Sequence, residues 1–358
     1  MRYLLTFLLS FIIHFFFAQH QGAWVIESSI RGGTLIAHRP VMNHLPKEHI
    51  VAGNFAVGRI VSGSKRWHKE LNYPLIGGMY YQGNLGNKEL LGDSKGACVF
   101  IAIPFQQALH WQTNVQLGSG LAYLSNPFDL YRNHKNVAIA SHWNCMVQLS
   151  FNTIYKFRKA FIGTGIDLIH FSNAAMKAPN LGLNIPQIKL TVGSILSENQ
   201  KSIKLTRKDS ITSFQKRNSY HLLAYASQKA LSNHPTKNYN MYGASLFFQR
   251  RVKQIHGYEI GADFIYNTSD KQLLEDRYIL TSNYWKAGIL GGYVMLLDRF
   301  QLCLGMGVYV RDRFNLNGLF YHRTGIRYTL WNCLDLNLTL KSHWANADYA
   351  EFGLGLKF

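Results

Sequence analysis

The 358-residue sequence predicts an all-β protein: a transmembrane antiparallel β-barrel of the outer-membrane type, with about 14 to 16 strands. Three observations predict it. The chain alternates apolar and polar residues in one segment after another, which is the period of a strand. The faces opposite the apolar ones are polar or glycine, too wet for a dry core but suited to a barrel interior. The links between segments alternate short and long, as periplasmic turns and external loops do.

The C-terminal segment Tyr349 to Phe358 is the clearest strand. Phe352, Leu354, Leu356 and Phe358 alternate with Glu351, Gly353, Gly355 and Lys357, and the chain ends on an aromatic residue. That ending resembles the assembly signal of bacterial outer-membrane barrels. Leu334, Leu336, Leu338 and Leu340 repeat the pattern against Asp335, Asn337, Thr339 and Lys341. So do Leu302, Leu304, Met306, Val308 and Val310 against Gln301, Cys303, Gly305, Gly307 and Tyr309.

Taken from the N-terminus, strands are expected at 23–38, 51–62, 74–83, 97–104, 111–124, 142–156, 160–172 and 185–196. The second half adds 218–227, 240–252, 256–267, 282–296, 300–310, 316–330, 333–343 and 347–358. Gly32-Gly33 is a point where the first could break or bulge. The links at 157–159, 253–255, 297–299 and 331–332 are very short, whereas 125–141, 173–184, 228–239 and 268–281 are longer. With the N-terminus inside, the short links fall on the periplasmic side. Only 197–217, rich in Lys, Arg and Ser, breaks the rule, as a miscounted strand or an inserted loop.

The first residues, MRYLLTFLLSFIIHFFFAQ, carry one positive charge, an apolar run and a small residue at Ala18. They read as a secretory signal peptide over 1–18, leaving 19–358 as a single barrel domain. No later run is long and apolar enough for a spanning helix. The formal charge of +19 suits an anionic surface such as lipopolysaccharide phosphates, or simply solubility. Nucleic acid is a poor candidate as a partner after export, since no recognition motif supports it. Cys98, Cys145, Cys303 and Cys333 show no metal spacing, and no phosphate loop, HExxH motif or calcium loop stands out. No metal or cofactor is expected. Cys303 and Cys333 share the inward parity of their strands and are the pair to suspect of a disulfide.

The chemistry sits at 161–184, FIGTGIDLIHFSNAAMKAPNLGLN. Residues i and i+2 of a strand share a face, so His170 and Ser172 project together, as a base and its nucleophile must. Ile162, Thr164, Ile166 and Leu168 lie on that same face. In a soluble protein it would be sealed core; in a barrel it faces lipid, near the external end of the strand.

The run HFSNAAMKAPNLG, from His170 to Gly182, resembles the PagL-type lipid A 3-O-deacylases of the acyloxyacyl hydrolase family. The likeness extends upstream through LGSGLAYL (117–124) and NVAIASHWN (136–144), over roughly residues 95–196, and more weakly into the closing strands. The resemblance implies an outer-membrane serine esterase that removes an ester-linked acyl chain from lipid A and releases a fatty acid. It makes Ser172 the nucleophile and His170 the general base. The Asn173 backbone amide and the Asn180 side chain become oxyanion donors, or Asx-turn groups of the Pro-Asn-x-Gly segment that ends at Gly182. The best-known members carry a glutamate fourteen residues after the histidine to orient it. Asn184 stands there, and Asp167, Asp348 and Glu351 are the other acids to consider. An amide can orient an imidazole but cannot stabilise its cation as a carboxylate does. Two rivals remain: a non-catalytic porin or lipid-binding barrel, and a phospholipase-like esterase.

Overall fold

A computed structural model describes residues 22–196, 216–344 and 346–358, apart from the side chains at 235 and 236. The expected signal peptide at 1–18 and most of the basic link at 197–217 lie outside the described residues. All sixteen expected strands are present. The first eight are β1 (Trp24–Gly33), β2 (Ile50–Ile60), β3 (Leu75–Asn84), β4 (Asp93–Gln107), β5 (Trp111–Leu124), β6 (Trp143–Phe157), β7 (Ala160–Ser172) and β8 (Leu183–Ile195). The second eight are β9 (Arg217–Leu231), β10 (His234–Arg251), β11 (His256–Asn267), β12 (Lys286–Leu297), β13 (Phe300–Arg311), β14 (Phe320–Leu330), β15 (Leu334–His343) and β16 (Asn346–Lys357). The first strand stops at the glycine pair, and a short helix, Thr268–Glu275, fills the longest external link of the second set.

The single barrel expected from the sequence is corrected here: the chain closes twice. β8 pairs back onto β1, from Val25 opposite Ile195 to Gly33 opposite Gln187. β16 pairs back onto β9, from Phe352 opposite Ala226 to Lys357 opposite His221. The result is two closed antiparallel barrels of eight strands each. Alternation dictates which face a side chain takes, but not which edges meet. Once β1 and β8 have paired, the first sheet has no free edge for β9. The long link that broke the turn rule is therefore the connection between the barrels. After an even number of strands the chain is back on its starting side, so that link needs no missing strand.

Eight strands leave an interior just wide enough for side chains to fill. In the first barrel Asp167 lies 3.0 Å from Arg31 Nη1 and 3.6 Å from Lys189 Nζ, all three side chains buried. Asn152 Nδ2 donates to Asn114 Oδ1 at 2.9 Å, and Gln148 Nε2 donates to Ser150 Oγ at 2.7 Å. In the second barrel Arg323 meets Asp263 at 2.8 Å and Glu351 at 2.7 Å. Arg327 meets Glu259 at 3.0 Å, and the Lys341 ammonium sits 4.0 Å from the Tyr321 ring centre. Buried charges persist only when paired, and these pairs plug each lumen.

The outer walls are the reverse. Ile162, Ile166, Leu168, Ile188, Leu190 and Val192 stand exposed on β7 and β8, as do Leu222, Leu246, Ile260, Met306 and Leu354 on the second barrel. Contiguous apolar surface of this kind belongs against lipid. The suspected disulfide is absent, because Cys303 is buried on β13 whereas Cys333 sits exposed in the turn before β15, and both are free. His343 points inward, with Nε2 3.2 Å from Asp348 Oδ2.

The interior predicts its own mutational cost. Arg323→Ala would leave Asp263 and Glu351 facing each other without their shared cation, at about 3–5 kcal/mol. Urea unfolding of the protein in lipid vesicles reads this, and a loss under about 1 kcal/mol would contradict the plug.

Candidate active site

β7 is anchored from inside and works from outside. Asp167, Ile169 and Phe171 point into the barrel and are buried, Asp167 clamped by Arg31 and Lys189. Strand geometry then throws Leu168, His170 and Ser172 outward. Ile166 and Leu168 are exposed, His170 is half-buried and Ser172 is 8% exposed. The histidine and serine thus close an apolar outer stripe at the loop end of their strand.

His170 and Asn184 are directly opposed across β7 and β8. Opposed side chains in an antiparallel pair are near neighbours, and here Asn184 Oδ1 lies 2.7 Å from His170 Nδ1. An amide oxygen only accepts, so Nδ1 must carry the proton and Nε2 is left with its lone pair. The other end of the amide, Nδ2, lies 3.2 Å from Nδ1 of His38. That histidine is 146 residues away in the chain and follows a short bridge in which Ile36 N–H donates to the Asn184 carbonyl at 3.0 Å. No spacing rule could have found it.

The other acids do not serve His170. Asp167 is held inside the first barrel by Arg31 and Lys189. Asp348 bonds Lys229 and His343, and Glu351 bonds Arg323 and Thr339, all inside the second barrel.

Past Ser172 the chain turns sharply. Ala174 and Ala175 take φ of 54° and 61°, the left-handed region, at a cost of about 1–2 kcal/mol each for a residue with a Cβ. The turn aims Ala174 N–H at Ser172 Oγ, 3.4 Å away. The Asn173 amide, expected to be an oxyanion donor, instead donates to Asn180 Oδ1 at 3.0 Å. These two expected donors are therefore bonded to each other, which holds the loop and leaves Nδ2 as the donor end of Asn180. Asn173 is tied further, its Nδ2 to Ser141 Oγ at 3.1 Å and its Oδ1 to Lys177 N at 3.4 Å. Gly182, at φ 78°, ends the loop with its N–H on the Ala138 carbonyl at 3.0 Å. The backbone amide that bonds the serine oxygen is that of Ala174, a contact that sequence spacing does not reveal because it depends on the left-handed turn.

A second serine and histidine share one strand on β9. Ser219 Oγ lies 3.0 Å from His221 Nε2, and His221 Nδ1 lies 2.5 Å from Asp335 Oδ2, while Asp335 Oδ1 accepts from Thr329. The distances are those of a hydrolase triad. Its parity is inward, however, and His221 and Asp335 are both 0% exposed. A base with no accessible edge cannot hand a proton to a leaving group. This trio clasps the interior of the second barrel.

Comparisons with known proteins divide at the same place as the fold. Residues 56–192, within the first barrel, match the family model for lipid A 3-O-deacylase (PagL). Residues 218–358, the second barrel, match that for the acyloxyacyl hydrolase C-terminal domain. A search of curated proteins returned no match. Among solved structures, neisserial surface protein A is similar at 8% identity and TM-score 0.35, covering 49% of this chain and 99% of that one. OccK1 of Pseudomonas aeruginosa is similar at 8% identity and TM-score 0.22, over 94% of this chain and 98% of that one. OprB of Pseudomonas putida is similar at 11% identity and TM-score 0.18, over 94% and 92%. With both barrels matched to models of one enzyme family, the chain belongs to the PagL-type lipid A deacylase (acyloxyacyl hydrolase) family of the bacterial outer membrane.

Proposed function

We propose that this lipid A deacylase is a serine esterase, with Ser172 as nucleophile, His170 as general base and Asn184 as the group that orients the base. One observation carries the reading. On the lipid-facing wall, Asn184 Oδ1 accepts from His170 Nδ1 at 2.7 Å, which leaves Nε2 free on the face it shares with Ser172.

The chemistry rests on that assignment. Ser172 turns Oγ from Ala174 N–H toward His170 Nε2, which takes its proton as Oγ attacks the ester carbonyl. Negative charge moves to the carbonyl oxygen, where Asn180 Nδ2 and the Ala174 amide are the donors in reach of the turn. The tetrahedral intermediate collapses, His170 returns the proton to the departing hydroxyl, and lipid A is left one acyl chain shorter. Water, deprotonated by the same base, then splits the acyl-serine and releases a fatty acid. Asn184 keeps the imidazole in the productive tautomer but offers its cation no charge.

A porin reading would need an open lumen. The Arg31–Asp167–Lys189 and Arg323–Asp263–Glu351 clusters fill the two interiors instead, which supports catalysis on the outer wall. The basic surface, +19 overall, suits the phosphates of lipid A better than a neutral ester.

The test is acyl release from purified lipid A in detergent, followed by mass, with phospholipid as a parallel substrate. Ser172→Ala and His170→Asn should each lower the rate by about 10³-fold or more, and the double variant should be little worse, because members of one catalytic unit are non-additive. Ser219→Ala should leave the rate unchanged. A Ser172→Ala protein that deacylates at the parent rate would end the serine mechanism.

Asn184 gives an independent prediction. Asn184→Glu should match or exceed the parent, since a carboxylate orients and also stabilises the imidazolium. Asn184→Leu should lose about 10²-fold. Equal rates for all three would show that His170 is oriented by some other group.

A further inference from the structure

We propose that His38 is a positioning residue, which fixes the end of the Asn184 amide that faces His170. The proposal rests on the esterase reading above and extends it to a residue outside the motif.

The reason lies in the difference between an amide and a carboxylate. A carboxylate presents two equivalent acceptors, so either rotation holds an imidazole in the same state. An amide has unlike ends. With Oδ1 toward His170, Nδ1 keeps the proton and Nε2 is the base. With Nδ2 toward His170, Nδ1 must accept, the proton moves to Nε2, and the imidazole cannot take a proton from Ser172. An asparagine at this position therefore needs something to choose its rotation.

His38 stands where that choice is made. Asn184 is bracketed by two imidazoles, with His170 Nδ1 2.7 Å from Oδ1 and His38 Nδ1 3.2 Å from Nδ2. A lone pair on His38 Nδ1 accepts from the NH₂ end alone, so it holds the amide with its oxygen toward His170. While His38 keeps Nδ1 unprotonated, the reversed amide would put Oδ1 against that lone pair and lose the His38 bond. The two histidines are thus coupled through one amide, one with Nδ1 protonated and the other with Nδ1 bare. The backbone fixes His38 in place from both sides. Thr34 N–H donates to the Pro186 carbonyl at 3.3 Å and Ile36 N–H to the Asn184 carbonyl at 3.0 Å. Beyond it a single 3-10 turn, Pro40–Met42, buries Met42 completely.

The experiment is a double-mutant cycle on deacylation, with Ser172→Ala run in parallel. In the Asn184 background, His38→Ala should lower kcat about tenfold, the value of one hydrogen bond, and leave KM unchanged. In the Asn184→Glu background the same change should cost less than about twofold, because a carboxylate has no wrong end. A merely structural His38 would cost the same in both backgrounds, and that result overturns the proposal, as does an unaffected His38→Ala in the parent. If Ser172→Ala remains active the esterase reading itself falls, and this proposal with it. If Ser172→Ala is dead and the cycle shows no background dependence, only the role of His38 falls. Nitrogen NMR of histidine-labelled protein supplies a second readout that does not depend on the Asn184→Glu variant folding. The parent should show His170 with bare Nε2, and His38→Ala should show a mixture of tautomers. An unchanged His170 signal overturns the proposal.

Discussion

Closure of the sheet is the constraint on which everything else rests. In lipid no water is at hand for an open strand edge, so every backbone group must find a partner within the protein. Each set of eight strands meets this by returning its last strand to its first, β8 to β1 and β16 to β9. Closure then makes parity absolute, because one face of every strand sees lipid and the other sees a narrow lumen. A residue pair has no third choice. Strands β7 and β9 differ for this reason alone. Both bring a serine and a histidine two residues apart onto one face, and both give the histidine a partner on another strand. On β7 the face is outward and the pair meets the membrane; on β9 it is inward and the trio is part of the plug. By distances alone, Ser219, His221 and Asp335 make the better triad. Direction relative to the barrel wall separates a site from a strut.

The plug also holds the site still. Eight strands leave an interior that side chains just fill, and paired charges and hydrogen-bonded amides lie there beside buried apolar and aromatic residues such as Met241, Phe247 and Leu290. Asp167 is the link between the two roles of β7. Its carboxylate is held by Arg31 from β1 and Lys189 from β8, so three adjacent strands are tied three residues before His170. The strand that carries His170, the strand that carries Asn184 and the strand that leads to His38 are those three. An arrangement that depends on a 2.7 Å contact across two strands needs such a tie, because a small shift in one of them would separate the imidazole from its amide.

Much of this is legible in the sequence alone. Period-two alternation located all sixteen strands, and it put His170 and Ser172 on the lipid face, because parity is a local property of the chain. Closure was not legible, since edge pairing between Val25 and Ile195 leaves no mark in the alternation of either strand. The basic link at 197–217 was the one visible sign, and it read equally well as an insertion. In the site, the fourteen-residue step from His170 to Asn184 comes from the family resemblance alone, and the structure shows the two opposed on neighbouring strands of a hairpin. His38 was not legible, because a contact spanning 146 residues comes from closure itself. The bond between Asn173 and Asn180 escaped for a third reason, that loop geometry depends on left-handed residues at Ala174 and Ala175, where sequence would have placed glycine.

Asparagine at the orienting position fits the place where the site stands. A carboxylate on the outer wall, half withdrawn from water, carries a desolvation cost unless a cation stands beside it, and Arg31 and Lys189 are engaged inside with Asp167. A neutral amide avoids that cost. In the proposed mechanism it gives up the charge that would steady the imidazolium in the transition state, so the step from serine to acyl-enzyme would lose part of its electrostatic support. It also exchanges a symmetric acceptor for an asymmetric one, and the tautomer of His170 then depends on which way a single amide is turned. With a carboxylate the base needs only one neighbour, whereas with Asn184 it needs a second acceptor behind the first. The wall supplies one because β1 and β8 are joined by closure, and the segment leaving β1 has to run past the head of β8.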